Sequence, residues 1–394
     1  MVRSCWLAAI WLIGIEAHAQ DWSGHVRLQL GQEYDSNAVR ENRPDAPGDF
    51  LTRLVAQGRL NYTLDEYRLW LDFQAGGKLF YHRFDEHQVA SRAEGGVRWR
   101  LPNDRSAGVR LHLRDVTQAR HSRDYMQVGG DLFMHLRLWS RLTLEASLGA
   151  SHYDFKPDGT GLAMIVVDQE TSDDTVEIRF SNAGPAASLQ LLVRLSPSWL
   201  MGLSYRLGVR FYDDVAYRFL DPDSEEAQAC NPIDSLDRNG CYTPTGRKRQ
   251  DLRNTGGLNL RLTTPWLKRQ QLIAQVSYQL THNLSNATGN SAIWHRIRAV
   301  VSIQLPLELT FHLMGTVQLT SYPDGRNLLL DFYEPDADEN ENAFVARLSW
   351  RFWGDLSLLA QAAIYRNDFQ FGTANQPAFE RETYLVGLAW DSWF

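Results

Sequence analysis

The fold is decided by the closing stretch of the chain, RETYLVGLAWDSWF, residues 381–394. Tyr384, Val386, Leu388, Trp390 and Phe394 fall on one side of a two-residue alternation. Leu385, Gly387, Ala389 and Asp391 fall on the other, and Ser392 alone interrupts the apolar row. A period of two is a strand with one greasy face. Soluble domains usually end in a polar, fraying tail. A strand that closes on an aromatic therefore asks for surroundings that favour apolar surface.

Outward from that stretch, the same alternation recurs along the chain. HVRLQLGQ sets Val26, Leu28 and Leu30 against Arg27, Gln29 and Gly31. VAQGRLNYTL sets Ala56, Leu60, Tyr62 and Leu64 against Gln57, Arg59, Asn61 and Thr63, and YRLWLDFQAGGKLFY continues it with Leu69, Leu71, Phe73 and Leu79. In all, about sixteen such segments can be read, each roughly ten residues long, the length of a tilted strand crossing a bilayer. The connections alternate as well. LDEY, PNDRS, WSR, SPSW, TPWLKRQ, PLE and WGD are short. Residues 41–49, 83–87, 118–123, 154–173, 214–248, 282–293, 321–340 and 367–380 form longer, more polar ones.

Short turns at one end and long loops at the other are how outer-membrane barrels are built. The expected fold is thus an all-β, antiparallel up-and-down transmembrane barrel of about sixteen strands, fourteen to eighteen at the limits. A secreted β-sandwich or a solenoid also alternates, but neither calls for so many strands with aromatics at their ends. An open edge in hydrocarbon leaves N–H and C=O groups unpaired at several kcal/mol each, so the last strand must pair with the first. Trp139, Trp199, Trp266 and Trp353 at the short turns, and Tyr34, Tyr81, Tyr153 and Phe211 near the other rim, are expected as interfacial girdles.

The first residues agree. MVRSCWLAAIWLIGIEAHAQ has a basic start at Arg3, an apolar run from Cys5 to Ile15 and a small-residue site at Ala17–Ala19. Residues 1–19 read as a secretory signal peptide cut after Ala19. A membrane anchor is the alternative, but the run is shorter than the ~20 residues of a spanning helix. Residues 20–394 are then one barrel, with no segment set aside for a plug, a periplasmic repeat domain or an energy-coupling box. Mature Cys230 and Cys241, in ACNPIDSLDRNGCY, are expected to pair in an oxidising periplasm, contributing about 3 kcal/mol on a chain-entropy view. Their spacing lacks the further ligands of a zinc site.

If apolar residues face lipid, the other face carries the function. The chain is acidic overall, with a net charge of −7. Its inward positions nevertheless read as basic: Arg53, Arg59 and Arg68; Arg92 and Arg98; Arg110 and Arg114; Arg137; Arg194; Arg206 and Arg210; Arg261. Arg27, Lys78, Arg100, Arg296, Arg298, Arg347 and Arg351 share that face, while inward acids are fewer: Asp72, Glu94, Asp131, Glu145 and Glu177. The remaining acids gather in loop stretches such as DPDSEEAQ and YEPDADENEN. A two-residue turn at LDEY sets Arg59 opposite Asp72. A turn at Ser140 sets His135 opposite Glu145, and pairing across QARHSR sets Arg110 opposite Asp131. Each such pair is worth ~0.2–1 kcal/mol.

A surplus of arginine remains after this pairing. It implies a wet lumen that attracts anions and can grip carboxylate or phosphate in bidentate fashion. The bland alternative is arginine as lumen filler, balanced by loop acids folded inward. A membrane-embedded hydrolase is the competing class: His112 and His135 face inward among serines, but a triad needs base, nucleophile and orienting acid in contact. No cofactor or metal site is read: DADENEN lacks a calcium loop's glycine-centred spacing, and no basic–aromatic module for nucleic acid is present.

Two short motifs resemble known families. The terminal aromatic Phe394 behind alternating apolar residues resembles the C-terminal signature of bacterial outer-membrane barrels, which implies recognition by the barrel assembly machinery. EYDSN, residues 33–37, resembles the Tyr-Asp-x-Asn element of porin-like outer-membrane proteins, among them barrels that partner periplasmic polysaccharide-export proteins. Asp35 and Asn37 match that element, where Asx side chains cap turns. The resemblance implies passage of a polymer with a separate periplasmic polysaccharide-export partner, in a membrane of lipid and lipopolysaccharide. The expected function is a cationic-lumen channel exporting an anionic polysaccharide, with a diffusion porin for small anions as the alternative, and without enzymatic activity.

Overall fold

A computed structural model describes residues 22–38, 47–118, 124–155, 163–165, 175–177, 181–219, 242–267, 270–288, 290–323, 342–367 and 379–394. Among the described residues eighteen strands are formed. The first seven are β1 (Trp22–Asp35), β2 (Asp49–Leu64), β3 (Tyr67–Phe80), β4 (Gln88–Leu101), β5 (Arg105–Gln118), β6 (Tyr125–Trp139) and β7 (Leu142–Phe155). After a small hairpin of β8 (Ala163–Ile165) and β9 (Thr175–Glu177) come β10 (Asn182–Arg194), β11 (Trp199–Phe219), β12 (Tyr242–Leu267) and β13 (Gln270–Ser285). The chain finishes with β14 (Ala292–Leu305), β15 (Leu309–Ser321), β16 (Asn342–Trp353), β17 (Leu356–Asn367) and β18 (Phe379–Trp393).

All but the small hairpin close into one sixteen-stranded barrel, each strand antiparallel to its chain neighbours. The seam joins β18 to β1 in continuous register, Arg27 opposite Asp391 and Tyr34 opposite Tyr384. Beyond the strand, Phe394 and Gly24 exchange backbone hydrogen bonds at 2.7 and 3.1 Å. The Phe394 ring lies over Gly24, in the space a side chain there would fill.

The alternation sorts the two faces. On β18, Tyr384, Val386, Leu388 and Trp390 are exposed on the outside, with Val386 at 59%. Leu385, 1% exposed, and Ala389 point inward. Leu28 and Leu30 on β1, Leu111 on β5, Leu132 on β6 and Leu148 on β7 extend the same exposed apolar band. Water would reject such a band; acyl chains accept it. The chain is a transmembrane β-barrel.

The turns at one end are tight. Asn103 and Asp104, and Leu307 and Glu308, all take positive φ, as two-residue hairpin turns require. Trp139, Trp199 and Trp353 stand exposed at that end. The side chain of Trp266 lies outside the described residues. Tyr34, Tyr81 and Phe211 are exposed near the opposite rim.

Four expectations need correction. Tyr153 is buried on the inner face, next to the Arg210 guanidinium at 5.5 Å, because it shares the phase of Ser151 and Ser147. Glu177 sits in the β8–β9 sheet, outside the barrel wall. The strands are longer than roughly ten residues: β11 has 21 and β12 has 26, so they run well past the bilayer as a paired ribbon. The connection from β7 to β10 also reaches as far as Ser181, because that hairpin lies within it. Signal-peptide residues 1–19 and the pair Cys230 and Cys241 lie outside the described residues.

Candidate functional site

The inner wall is the candidate site, and the register fixes who faces whom on it. Arg59 stands opposite Asp72, with a second guanidinium nitrogen at 3.1 Å from the carboxylate. Arg110 grips Asp131 in bidentate fashion at 2.9 and 2.8 Å and reaches Glu94 at 3.7 Å. Arg92 bonds Glu94 at 3.3 Å, and His135 stands opposite Glu145 at 3.0 Å. Arg53 and Lys78 share the buried carboxylate of Glu33 at 3.1 and 3.2 Å. Arg137 pairs with Asp104 in the turn. The wall from β1 to β7 is thus laced by ion pairs.

The wall from β10 to β17 differs. Along the barrel portions of these strands, Arg194, Arg206, Arg261, Arg298 and Arg347 face inward, in register with Leu200, Ser188, Gln275, Ser277 and Gln361 respectively. None of the five has an ion pair among the described residues. Arg347 instead gives two hydrogen bonds to Gln361, at 2.9 and 2.6 Å. Arg298 bonds the Met314 sulfur at 3.3 Å. Asp251 is the inward acid of β12, and Arg249 holds it at 2.7 Å with Asn283 at 3.3 Å. Across the bore, Arg68 bonds Asn61 at 2.7 Å. Arg98 stacks between Trp70 and Phe133, 5.9 and 5.5 Å from their centroids. Those rings meet edge to face at 5.7 Å. Gly96 and Gly108 sit beneath them; a Cβ on either would come within 2.6 Å of a ring atom. Arg114 faces Tyr125, 5.6 Å from its centroid.

Sequence reading missed several inward groups. Glu33, Asp35, Asp49 and Asp391 are inner-face acids, and Arg249, Arg253 and Arg381 are inner-face bases. All but Arg249 and Arg253, which lie well inside the long β12, are near a strand end, where alternation gives a phase but not how far the strand runs. Trp70 and Phe133 were hidden because RLWLDF and DLFMHL are apolar on both phases.

The EYDSN element binds the seam at the outer rim. Asp35, buried, accepts the Asn37 backbone N–H at 3.2 Å and faces Arg381 at 3.0 Å. Asn37 donates its amide to the Glu380 carbonyl at 3.2 Å, and the Glu382 N–H bonds Ser36 Oγ at 2.8 Å. Asp49, opposite Asp35, collects the N–H groups of Phe50, His82 and Arg83. The motif thus carries the β1–β18 pairing one step beyond the ladder.

A polar cavity of about 380 Å³ opens on the inner face from β6 to β15. Arg206, Arg210, Arg253 and Arg296 line it with glutamines, serines and threonines and with Trp294. Among the described residues of its lining there is no carboxylate side chain. A second cavity of about 440 Å³ lies toward the turn end, lined by His25, Arg59, Asp72, Arg92, Glu94 and Trp393. Its charges are already paired.

The hydrolase alternative meets the geometry directly. Ser106, His135 and Glu145 lie in one cross-strand row, and His135 bonds Glu145. No hydrogen bond joins Ser106 to His135 among the described residues, so the row stops short of an activated nucleophile. His112 faces Glu94 and Gly129 and approaches Gln127 at 3.4 Å. Among the described residues no cluster of three or more metal-ligating side chains occurs.

No protein-family model matches the chain, and no curated protein matches it either. Among solved structures, a deletion mutant of the monoaromatic hydrocarbon channel TodX is 9% identical, with a TM-score of 0.41, 95% of this chain and 90% of that one covered. A bacterial polysaccharide outer membrane secretin is 8% identical, at 0.41, with 93% and 97% covered. The anion-selective porin of Comamonas acidovorans is 8% identical, at 0.41, with 94% and 99% covered. Likeness at this level decides nothing about cargo.

Proposed function

We propose that the protein is a passive channel of the bacterial outer membrane whose cationic bore conducts anions, and that its task is export of an acidic polysaccharide. One observation supports this above the rest: the β10–β17 wall carries Arg194, Arg206, Arg261, Arg298 and Arg347 with no ion pairs among the described residues. Guanidinium groups in a water-filled bore raise the local concentration of anions and repel cations. Their planar fork suits carboxylates and phosphates. On this reading a periplasmic polysaccharide-export protein delivers the polymer to the turn end, and the barrel assembly machinery reads the strand ending in Phe394. The surrounding partners are outer-membrane lipid and lipopolysaccharide; nucleic acid has no part in it.

The test is the reversal potential of the protein in a planar bilayer under a salt gradient. The expected result is anion selectivity that falls when Arg194, Arg206, Arg261 and Arg298 are changed together to glutamine. A large, permanently open conductance would favour a diffusion porin for small anions over polymer export. A barrel that conducts only with its periplasmic partner would favour export. Cation selectivity would sink both.

A further inference from the structure

The cavity on the inner wall has a chemistry narrower than general anion attraction. We propose that it binds one acidic sugar unit, a hexuronate residue of a glycan chain lying along the bore. This rests on the reading of the barrel as a conduit for anionic solutes.

Three features carry the assignment. The first is a charge without counter-charge: Arg206 is exposed to the bore and flanked in its row by Ser188 and Thr255, and no carboxylate is among the described residues of the lining. A bound carboxylate would supply the missing negative group through two parallel hydrogen bonds to the fork. The second is the neighbouring row. Gln190, Ser204, Gly257 and Gln279 follow one another across β10 to β13, one step of the alternation nearer the turn end. Amides and hydroxyls both give and accept, as the vicinal hydroxyls of a sugar require. Rows two residues apart are separated by roughly 7 Å, from a rise of ~3.4 Å per residue. A pyranose bearing a carboxylate spans that distance: the acid meets Arg206 and the ring hydroxyls meet the amide row.

The third feature is room. Gly184, Ala186 and Gly208 are the inward residues beside Arg206, so the floor of the cavity is backbone rather than side chain. The volume of about 380 Å³ lies within the range of small-ligand sites. A small inorganic anion would leave most of it unfilled and the amide row unused. A neutral sugar would leave Arg206 without a counter-charge.

The test is calorimetric titration of the full mature barrel, folded in detergent, with trigalacturonate, maltotriose and inorganic sulfate in turn. Trigalacturonate should bind at least tenfold more tightly than either of the others. Arg206→Gln should weaken it tenfold or more, while Arg105→Gln, which removes the same charge at the turn end outside the cavity, should not. Gln279→Leu, which leaves the charge untouched, should also weaken it, and heat-modifiable mobility on gels shows that each variant is folded. Absence of binding to the wild-type barrel, sulfate binding as tight as trigalacturonate, or full affinity in Arg206→Gln would overturn the site. An anion-selective conductance alongside any of those results would leave the channel reading standing and remove only the saccharide site.

Discussion

At the scale of single residues, Asp35 shows how a short motif becomes a structural device. Its carboxylate is buried, accepts the Asn37 N–H and faces Arg381 from the partner strand of the seam. An up-and-down barrel has one junction between the two ends of its chain, and that junction has no hairpin turn to hold it. Interactions at the rim must do so. Asp35→Ala removes a buried acceptor and leaves its donors to find others, at a cost of roughly 1–3 kcal/mol. Urea unfolding of the barrel in detergent should show that loss. Asn37→Ala keeps the Asp35–Arg381 pair and should lose less. Unchanged stability in Asp35→Ala would mean that the motif has no role in holding the seam.

At the scale of elements, one rule places nearly every side chain: the phase of the strand. Val386 on β18 points to lipid, and Gln74 on β3 points into the bore. Val386→Arg should cost roughly 2–4 kcal/mol, the usual penalty for a cation on the lipid face near the midplane. Gln74→Lys should cost much less, because its ammonium stays in water. Equal losses from the two, measured as shifts in unfolding midpoint, would contradict the assignment of faces.

The same rule explains what could be read from the sequence. Strands with strict alternation, such as HVRLQLGQ and GVRLHLR, disclose the face, and the two-residue turn at LDEY is enough to set Arg59 against Asp72. RLWLDF and DLFMHL did not, because apolar residues occupy both phases; only neighbouring strands reveal that Trp70 and Phe133 lie over inward glycines. Tyr153 was misplaced for a related reason. An aromatic near a strand end suits an interfacial girdle and a lumen wall equally, and phase has to be counted across β6 and β7 to tell them apart. The cavity was not legible at all. Its lining comes from strands far apart in sequence, and small residues at Gly184, Ala186 and Gly208 make it by what they leave out.

At the scale of the whole molecule, the bore has two unlike walls. From β1 to β7, Arg53, Arg59, Arg92 and Arg110 are paired with acids, while Arg68 and Arg98 rest on an amide and on aromatic rings. From β10 to β17, Arg194, Arg206, Arg261, Arg298 and Arg347 face leucine, serine and glutamine partners instead, while Arg249 and Arg351 hold acids. An acidic chain can therefore enclose a positive interior, and the proposed selectivity and saccharide site both follow from that asymmetry. All of it depends on the inward phase of the arginines. Spin labels placed one at a time at residues 203–208 of β11 test that phase most directly, on a background with Cys230 and Cys241 replaced by serine. The labels at Ser204, Arg206 and Gly208 should respond to a water-soluble nickel relaxant, and those at Leu203, Tyr205 and Leu207 to oxygen dissolved in the lipid. The reverse phase, or no alternation along the strand, would contradict the account.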